Sequence, residues 1–214
     1  MKGAMRAMQR AVCTAALALV ACALVIPVAA GLRAVSAKRQ APAADAMFEL
    51  NPADTKVNFT LSATMHTVHG SFRALRGRAQ YARGTGAVTG EFVVDAASGE
   101  TGDSGRDKNM HKDVLESEKY PAFTFRPDRL EGAVAAAGES EIKLHGMFSV
   151  HGADHEMTIP VKVKVDGGQW TASAKFPVPY AEWGMKNPST FVLRVGKSVD
   201  VEIAATGTVK AAER

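Results

Sequence analysis

From Lys56 onward the chain alternates apolar and polar residues with a period of two. Val57, Phe59 and Leu61 interleave with Lys56, Asn58, Thr60 and Ser62, and Phe92 and Val94 share one face of the run 91–95. Phe123 and Phe125 share a face ahead of Pro127. Met157, Ile159, Val161, Val163 and Val165 interleave with Thr158, Lys162 and Lys164, as Val199, Val201 and Ile203 do with Asp200 and Glu202. Successive side chains of a strand point to opposite faces, so each run predicts a strand with one face toward a core and one toward water. Glycines (Gly84, Gly86, Gly132, Gly138, Gly152, Gly167, Gly168, Gly196) punctuate the runs at short spacing. Many short strands between turn signals predict an all-β antiparallel barrel or sandwich. The expected number is about eight to ten, the range that closes a barrel around one small-ligand cavity.

One stretch breaks the alternation. In 107–117 (DKNMHKDVLES), Met110, Val114 and Leu115 recur at helical spacing, with Ser104 or Asp107 available as a cap. This predicts a short helix across one barrel mouth, which Pro121 separates from a strand over 123–126.

The first 37 residues differ from the rest. Lys2, Arg6 and Arg10 precede an almost unbroken apolar run over 11–30, and Val35 and Ala37 offer a cleavage site after Ala37. Charge, apolar run and small residues in that order predict an export signal. The run approaches the length of a membrane span, so retention as an anchor is an alternative, although Pro27 weakens the helix. Leu19-Val20-Ala21-Cys22 resembles a lipobox, but the greasy 23–26 replaces the usual polar tether. Cleavage is preferred over anchoring, and anchoring over acylation at Cys22. All three place the domain in the periplasm or outside the cell, and an anchor would hold it near a membrane. The stretch 38–47 is Ala/Pro-rich and reads as a linker. The expected organisation is leader 1–37, linker 38–47, barrel 48–209 and tail 210–214.

Setting the leader aside changes the charge. It holds Lys2, Arg6, Arg10, Arg33 and no carboxylate, so of 26 Lys/Arg in the chain 22 remain against 22 Asp/Glu. The domain has no net basic character, and a nucleic-acid partner is not supported. Cys13 and Cys22 both lie in the leader, leaving the domain without a disulfide, thiolate ligand or cysteine nucleophile. Asn58-Phe59-Thr60 matches a glycosylation sequon but sits in the middle of a strand and is discounted.

Catalytic templates fail. Gly102-Asp103-Ser104-Gly105 is one residue short of a nucleophile elbow, and phosphate-loop and dinucleotide fingerprints are missing. His155-Glu156 begins like a zinc-protease motif, but Ile159 stands where the second His belongs. No catalytic residue is assigned, and the protein is not expected to be an enzyme. All six histidines (His66, His69, His111, His145, His151, His155) lie in the domain, which leaves metal binding or pH sensing as a competing function. His66 and His69 would point to opposite faces of a strand, and His151 and His155 would lie roughly 13 Å apart in a straight one. A tight turn at Gly152-Ala153-Asp154 would bring the latter pair together. No metal ligand is assigned. Phe59, Phe72, Phe92, Phe123, Phe125, Phe148, Phe176 and Phe191 fall on or beside apolar faces, with Trp170 and Trp183 in the last third. Packing explains any one of them; a cavity lining would explain the set.

Three blocks then resemble one family. Thr67-Val68-His69-Gly70-Ser71-Phe72 with Gly77 is the first. Arg106-Asp107, Met110-His111, Ser117, Tyr120-Pro121 and Phe123-Thr124-Phe125 form the second and most specific. Phe148-Ser149-Val150-His151-Gly152 with Thr158-Ile159-Pro160-Val161 is the third. They resemble the YceI-like, polyisoprenoid-binding periplasmic proteins over nearly all of 48–209. Where many members carry a His before the first glycine block, this chain has Ala63. The resemblance implies a lipocalin-like antiparallel barrel around an apolar channel, with no catalytic residues and no cofactor beyond a bound isoprenoid or quinone-like lipid. Candidate lining residues are Phe59, Leu61, Phe72, Phe92, Val94, Phe123, Phe125, Phe148 and Trp183. Candidate head-group contacts are His66, Arg106 and His111, although a local cap or ion pair is the simpler role for Arg106 and Asp107. A ligand-free structural or stress protein is a further alternative, and an unsealed edge strand would allow a homodimer.

Overall fold

Nine strands pair antiparallel throughout: β1 (Ala46–Leu50), β2 (Lys56–Ser62), β3 (Thr67–Ala82), β4 (Ala87–Glu100), β5 (Ala122–Glu131), β6 (Gly138–Val150), β7 (Ala153–Asp166), β8 (Gln169–Val178) and β9 (Val199–Ala211). The structure is a computed structural model that describes residues 45–211. Residues 1–44, on which the expected signal, anchor, lipobox and most of the linker fall, lie outside the described residues, as do 212–214.

β1 and β2 occupy one place in the sheet, both between β3 and β9. Ala46 pairs with Tyr81 and Ala211, and Lys56 with Arg73 and Ala204. The residues 51–55 interrupt this composite strand. The break is fastened where Asn51 N–H donates to the Thr206 carbonyl (2.8 Å) and the Thr55 hydroxyl donates to the Asn51 carbonyl (2.7 Å). Every other strand pairs with its neighbour in sequence, and β3–β4 completes the circuit. The nine strands therefore form a closed eight-stranded barrel. Each place in the barrel has a paired neighbour on both sides, although the β7–β8 ladder runs only from Val161 and Ala174 to Asp166 and Gln169.

The strand limits differ from expectation at both ends. β1 takes Ala46 and Met47 from the linker, and β9 takes Lys210 and Ala211 from the tail. β5 continues past Pro127 to Glu131 through an irregularity in register between Pro127 and Arg129, where the missing proline N–H is tolerated.

Two motif glycines serve as seats for rings. A Cβ at Gly70 would fall inside the Phe59 ring, and one at Gly77 inside the Phe92 ring. Each ring occupies the space a side chain at its glycine would need, which is why the first sequence block sets glycine where it does.

Antiparallel order places the two longest connections, 101–121 and 179–198, at one end. There lie the β2–β3 turn, the helical crossing, the β6–β7 turn and the connection 179–198. Shorter links close the other end. The helical crossing is α1 (Ser104–Asn109) followed by a π-helical turn, Met110–Val114. Its cap is neither Ser104 nor Asp107. Asp103 fills that role, its carboxylate accepting from Arg106 N–H at 2.7 Å. Two apolar clusters divide the interior. One, around Tyr81, Leu130, Val134 and Trp170, fills the end with shorter links; the other, around Phe125, Ile159, Phe176 and Met185, lies toward the helical end. Phe92, Leu144 and Val161 pack against both.

Candidate functional site: an apolar cavity and its capped mouth

Inside the barrel lies a cavity of about 210 Å3. Its wall runs from Tyr81, Leu130, Val134 and Trp170 at one end to Phe123, Phe148 and Phe176 at the other. Three polar residues touch it: Thr55, Ser173 and Arg76. The Thr55 hydroxyl is committed to the Asn51 carbonyl, and the Arg76 guanidinium to Glu91 at 2.9 Å. No histidine or carboxylate is part of the described wall.

Of the residues singled out from sequence, Phe92, Val94, Phe123, Phe125 and Phe148 lie on the wall. Phe59, Leu61, Phe72 and Trp183 do not. Three of these four belong to a row of rings at the helical end. Phe59 meets Phe72 at 5.1 Å between centroids, Phe72 meets Phe123 at 5.3 Å, Phe123 meets Phe148 at 6.4 Å, and Phe148 meets Trp183 at 5.9 Å. The row links the cavity wall to the residues that cap the mouth. Leu61 packs against the second apolar cluster.

None of the head-group candidates is free for that purpose near the wall. His66 is exposed in the β2–β3 turn. Arg106 Nε and Nη2 donate to the Thr101 hydroxyl (2.7 Å) and carbonyl (3.0 Å), while Asp107 accepts from Thr101 N–H (2.9 Å). The Arg-Asp pair thus fastens the start of α1 to the residue that follows β4. His111 spends both ring nitrogens likewise. Nε2 donates to the Gly99 carbonyl at 2.8 Å, which leaves Nδ1 to accept from the buried Ser117 hydroxyl at 3.1 Å. Tyr120 covers Gly152 and packs its ring 4.7 Å from that of His151. The part of the most specific sequence block from Arg106 to Tyr120 therefore holds the cap in place, while its Phe123 and Phe125 lie on the cavity wall.

The histidines that do reach the mouth come from the β6–β7 hairpin. Val150 pairs with Ala153, so the turn is His151-Gly152, one step earlier than expected. Both residues have positive φ (50° and 78°), as a two-residue type I′ turn requires. His155 faces Phe148 across the ladder and so shares its inward direction. Its ring stacks on Trp183 at 4.0 Å, and its Nε2 is buried without a hydrogen-bond partner. His151 Nε2 lies 3.3 Å from Glu116 Oε1 but is misaligned for a hydrogen bond. Among the described residues no group of three His, Cys, Asp or Glu side chains is placed to hold a metal ion.

The connection 179–198 carries Trp183. It is organised by Tyr180, whose hydroxyl donates to the Gly196 carbonyl (2.6 Å) and accepts from Asn187 Nδ2 (3.0 Å). Burial pushes the Tyr180 phenol up from its ordinary value, so it stays a donor. A connection this long in a small barrel fits a lid better than a plain link.

His145, on the outer wall, is the other notable histidine. Its Nδ1 lies 2.6 Å from Asp128 and its Nε2 2.8 Å from Glu156, so β5, β6 and β7 are tied through one imidazolium.

Comparison with known proteins agrees with this architecture. No curated protein matches the chain in sequence. Among solved structures, BcnA of Burkholderia cenocepacia superposes with a TM-score of 0.61 at 18% identity, covering 74% of this chain and 99% of that one. A polyisoprenoid binding domain from Saccharophagus degradans, implicated in plant cell wall breakdown, gives 0.61 at 15% identity, covering 76% and 98%. The YceI protein of Campylobacter jejuni gives 0.53 at 13%, covering 71% and 88%. At such identities these likenesses establish the shared barrel. The YceI-like domain model matches residues 48–207 in sequence, almost the whole of that barrel, and the chain belongs to the YceI-like family.

Proposed function

We propose that this protein is an exported binding protein, periplasmic or extracellular, that holds an isoprenoid or similar apolar lipid inside the barrel and catalyses no reaction. The observation that carries this is the cavity itself: about 210 Å3, walled almost wholly by rings and aliphatics, with the Thr55 hydroxyl and the Arg76 guanidinium already committed elsewhere. The Saccharophagus degradans neighbour, described as polyisoprenoid binding, supports the same class of ligand. The apolar run at 11–30, preceded by Lys2, Arg6 and Arg10, supports export.

The energetics suit a carrier. Each buried methylene gains about 0.8 kcal/mol relative to water, but a bilayer offers nearly the same gain, so cargo is held without being trapped. Size sets a limit. An apolar cavity of about 150 Å3 accepts benzene, and on that scale the present space holds on the order of eight carbons, between one and two isoprene units. A longer tail must part the ring row or project from an end. At the mouth, the buried and unpartnered His155 Nε2 is the polar atom best placed to meet a hydroxyl or carbonyl on the ligand once Trp183 swings aside.

Solvent extraction of the purified protein followed by mass spectrometry, then reloading with geraniol, farnesol and a short-chain quinone, tests the reading. Stoichiometric uptake of at least one is expected. A protein that arrives empty and accepts none of them would refute it.

A further inference from the structure

Three large apolar side chains stand almost fully in solvent: Phe191 (94% exposed), Met65 (85%) and Val192 (81%). Phe191, which the sequence places on or beside an apolar face, lies at the tip of a loop. Thr190 N–H donates to the Leu193 carbonyl (2.8 Å) and Leu193 N–H to the Thr190 hydroxyl (3.0 Å), so Phe191 and Val192 occupy the crest of a tight bend. Gly, Pro, Asn, Asp and Ser favour such crests, and a bulky ring beside a β-branched residue has no local reason to be there.

Met65 belongs to the same prominence. Thr64 N–H donates to the Arg194 carbonyl (2.9 Å), Arg194 N–H donates to the Thr64 hydroxyl (3.0 Å), and Ala63 pairs with Val195. The β2–β3 turn and the bend are therefore clamped side by side, with their apolar tips next to the clamp. The charge around them has one sign. Residues 186–198 contain Lys186, Arg194 and Lys197 and no carboxylate, and residues 62–69 contain none either. Along the loop the flanking acids are Glu182 and Asp200, and Lys186 lies 3.9 Å from Asp113.

We infer that Met65, Phe191 and Val192 form a prong that inserts into the interface of an anionic bilayer, with Arg194 and Lys197 meeting the head groups. A convex apolar tip flanked by cations matches a lipid surface, where apolar side chains enter the acyl boundary and basic ones remain at the charged layer. A protein groove would be matched by shape, whereas a bilayer needs only protrusion and sign. The prong stands at the capped end of the barrel, on the same connection that carries Trp183. Contact with a membrane would thus bear directly on the cap of the cavity.

The test is sedimentation with phosphatidylcholine vesicles, with and without phosphatidylglycerol. It uses the full chain alongside the compact unit Gln40–Arg214, which holds every strand and both apolar clusters and lacks the apolar leader run. The expected result is binding of the compact unit to the anionic vesicles, reduced about tenfold in F191S/V192S and reduced in R194Q. M65S is the second, independent variant, and circular dichroism confirms that each barrel is folded. Absence of binding by the compact unit, or variants that bind as the wild type does, overturns the proposal. So does a concentration-dependent dimer that F191S/V192S abolishes. Prenyl uptake from detergent, without vesicles, is measured on the same variants. Its retention separates failure of the prong from failure of the cavity.

Discussion

The indole of Trp183 lies flat on the imidazole of His155, with ring centroids 4.0 Å apart and planes 9° from parallel. The stack closes the mouth with the one inward histidine whose Nε2 has no partner, and it joins the row of rings that ends on the cavity wall. A buried polar atom left unsatisfied is costly, so a ligand that supplies a hydroxyl or carbonyl gains by reaching it. His155→Leu is expected to lose discrimination between a prenol and the matching hydrocarbon by roughly fivefold, the value of one modest hydrogen bond. Competition binding with the two ligands checks this; equal preference in wild type and variant would remove His155 from the site.

The cavity can be filled from β8. Ala172 lies on its wall, and Ala172→Phe would place a ring in the space now empty. Overpacking of this kind costs about 1–3 kcal/mol, which a closed barrel tolerates. The expected outcome is a folded protein with little prenyl uptake, read by thermal melting and extraction. Undiminished uptake would place the lipid outside the barrel.

Gly77 and Phe92 should behave as a unit. Gly77→Val forces the ring off its seat and is expected to cost about 1–3 kcal/mol. Phe92→Ala removes the ring and costs about 3–5 kcal/mol through the cavity it leaves. In the double variant the tightest clash is gone and only the Leu50 Cβ, at 2.9 Å, still presses on the new side chain, so the combined loss should be smaller than the sum. Urea denaturation of the four proteins decides, and additivity would contradict the seating.

The outer wall carries a pH signature. Hydrogen bonds to Asp128 and then Glu156 raise the His145 pKa above its ordinary value, against partial desolvation and the nearby Arg129. A histidine whose folded pKa is raised gives its full contribution below its unfolded pKa of about 6.5 and loses it as pH rises through the folded value. The stability gap between wild type and H145Q should therefore be widest in weak acid and narrow as the solution becomes alkaline. Thermal melts from about pH 5 to 9 will show it. A gap that widens with pH would sink this assignment.

Much of the barrel is legible because a half-buried strand must alternate, and β2, most of β7 and the first half of β9 do so. β1 escaped notice: its first residues close an Ala/Pro-rich stretch, and five residues are too few to display a period. The crossing helix was visible from Met110, Val114 and Leu115, but nothing in those residues announces that its second half widens into a π-turn. For the cavity, alternation tells which face a residue takes and says nothing about its height along the axis. Phe59 and Phe72 therefore read like Phe123, yet they lie at the mouth. His155 was hidden by a backbone event two positions from Ala153: the turn needs positive φ at His151, a conformation that Asn or Gly normally signals. Arg106 and His111 attracted attention as polar residues near a mouth, but short-range partners at Thr101, Gly99 and Ser117 had first claim on them.

Because β9 is the shared neighbour of β1, β2 and β8, the circuit stays incomplete until Val199–Ala211 docks. With β9 paired last, the rest of the sheet is a trough whose greasy floor is open along its length, and such non-local closure is slow. A lipid laid in the trough beforehand is enclosed without threading any entrance. Cargo found in the finished protein would then record the surroundings in which the polypeptide matured.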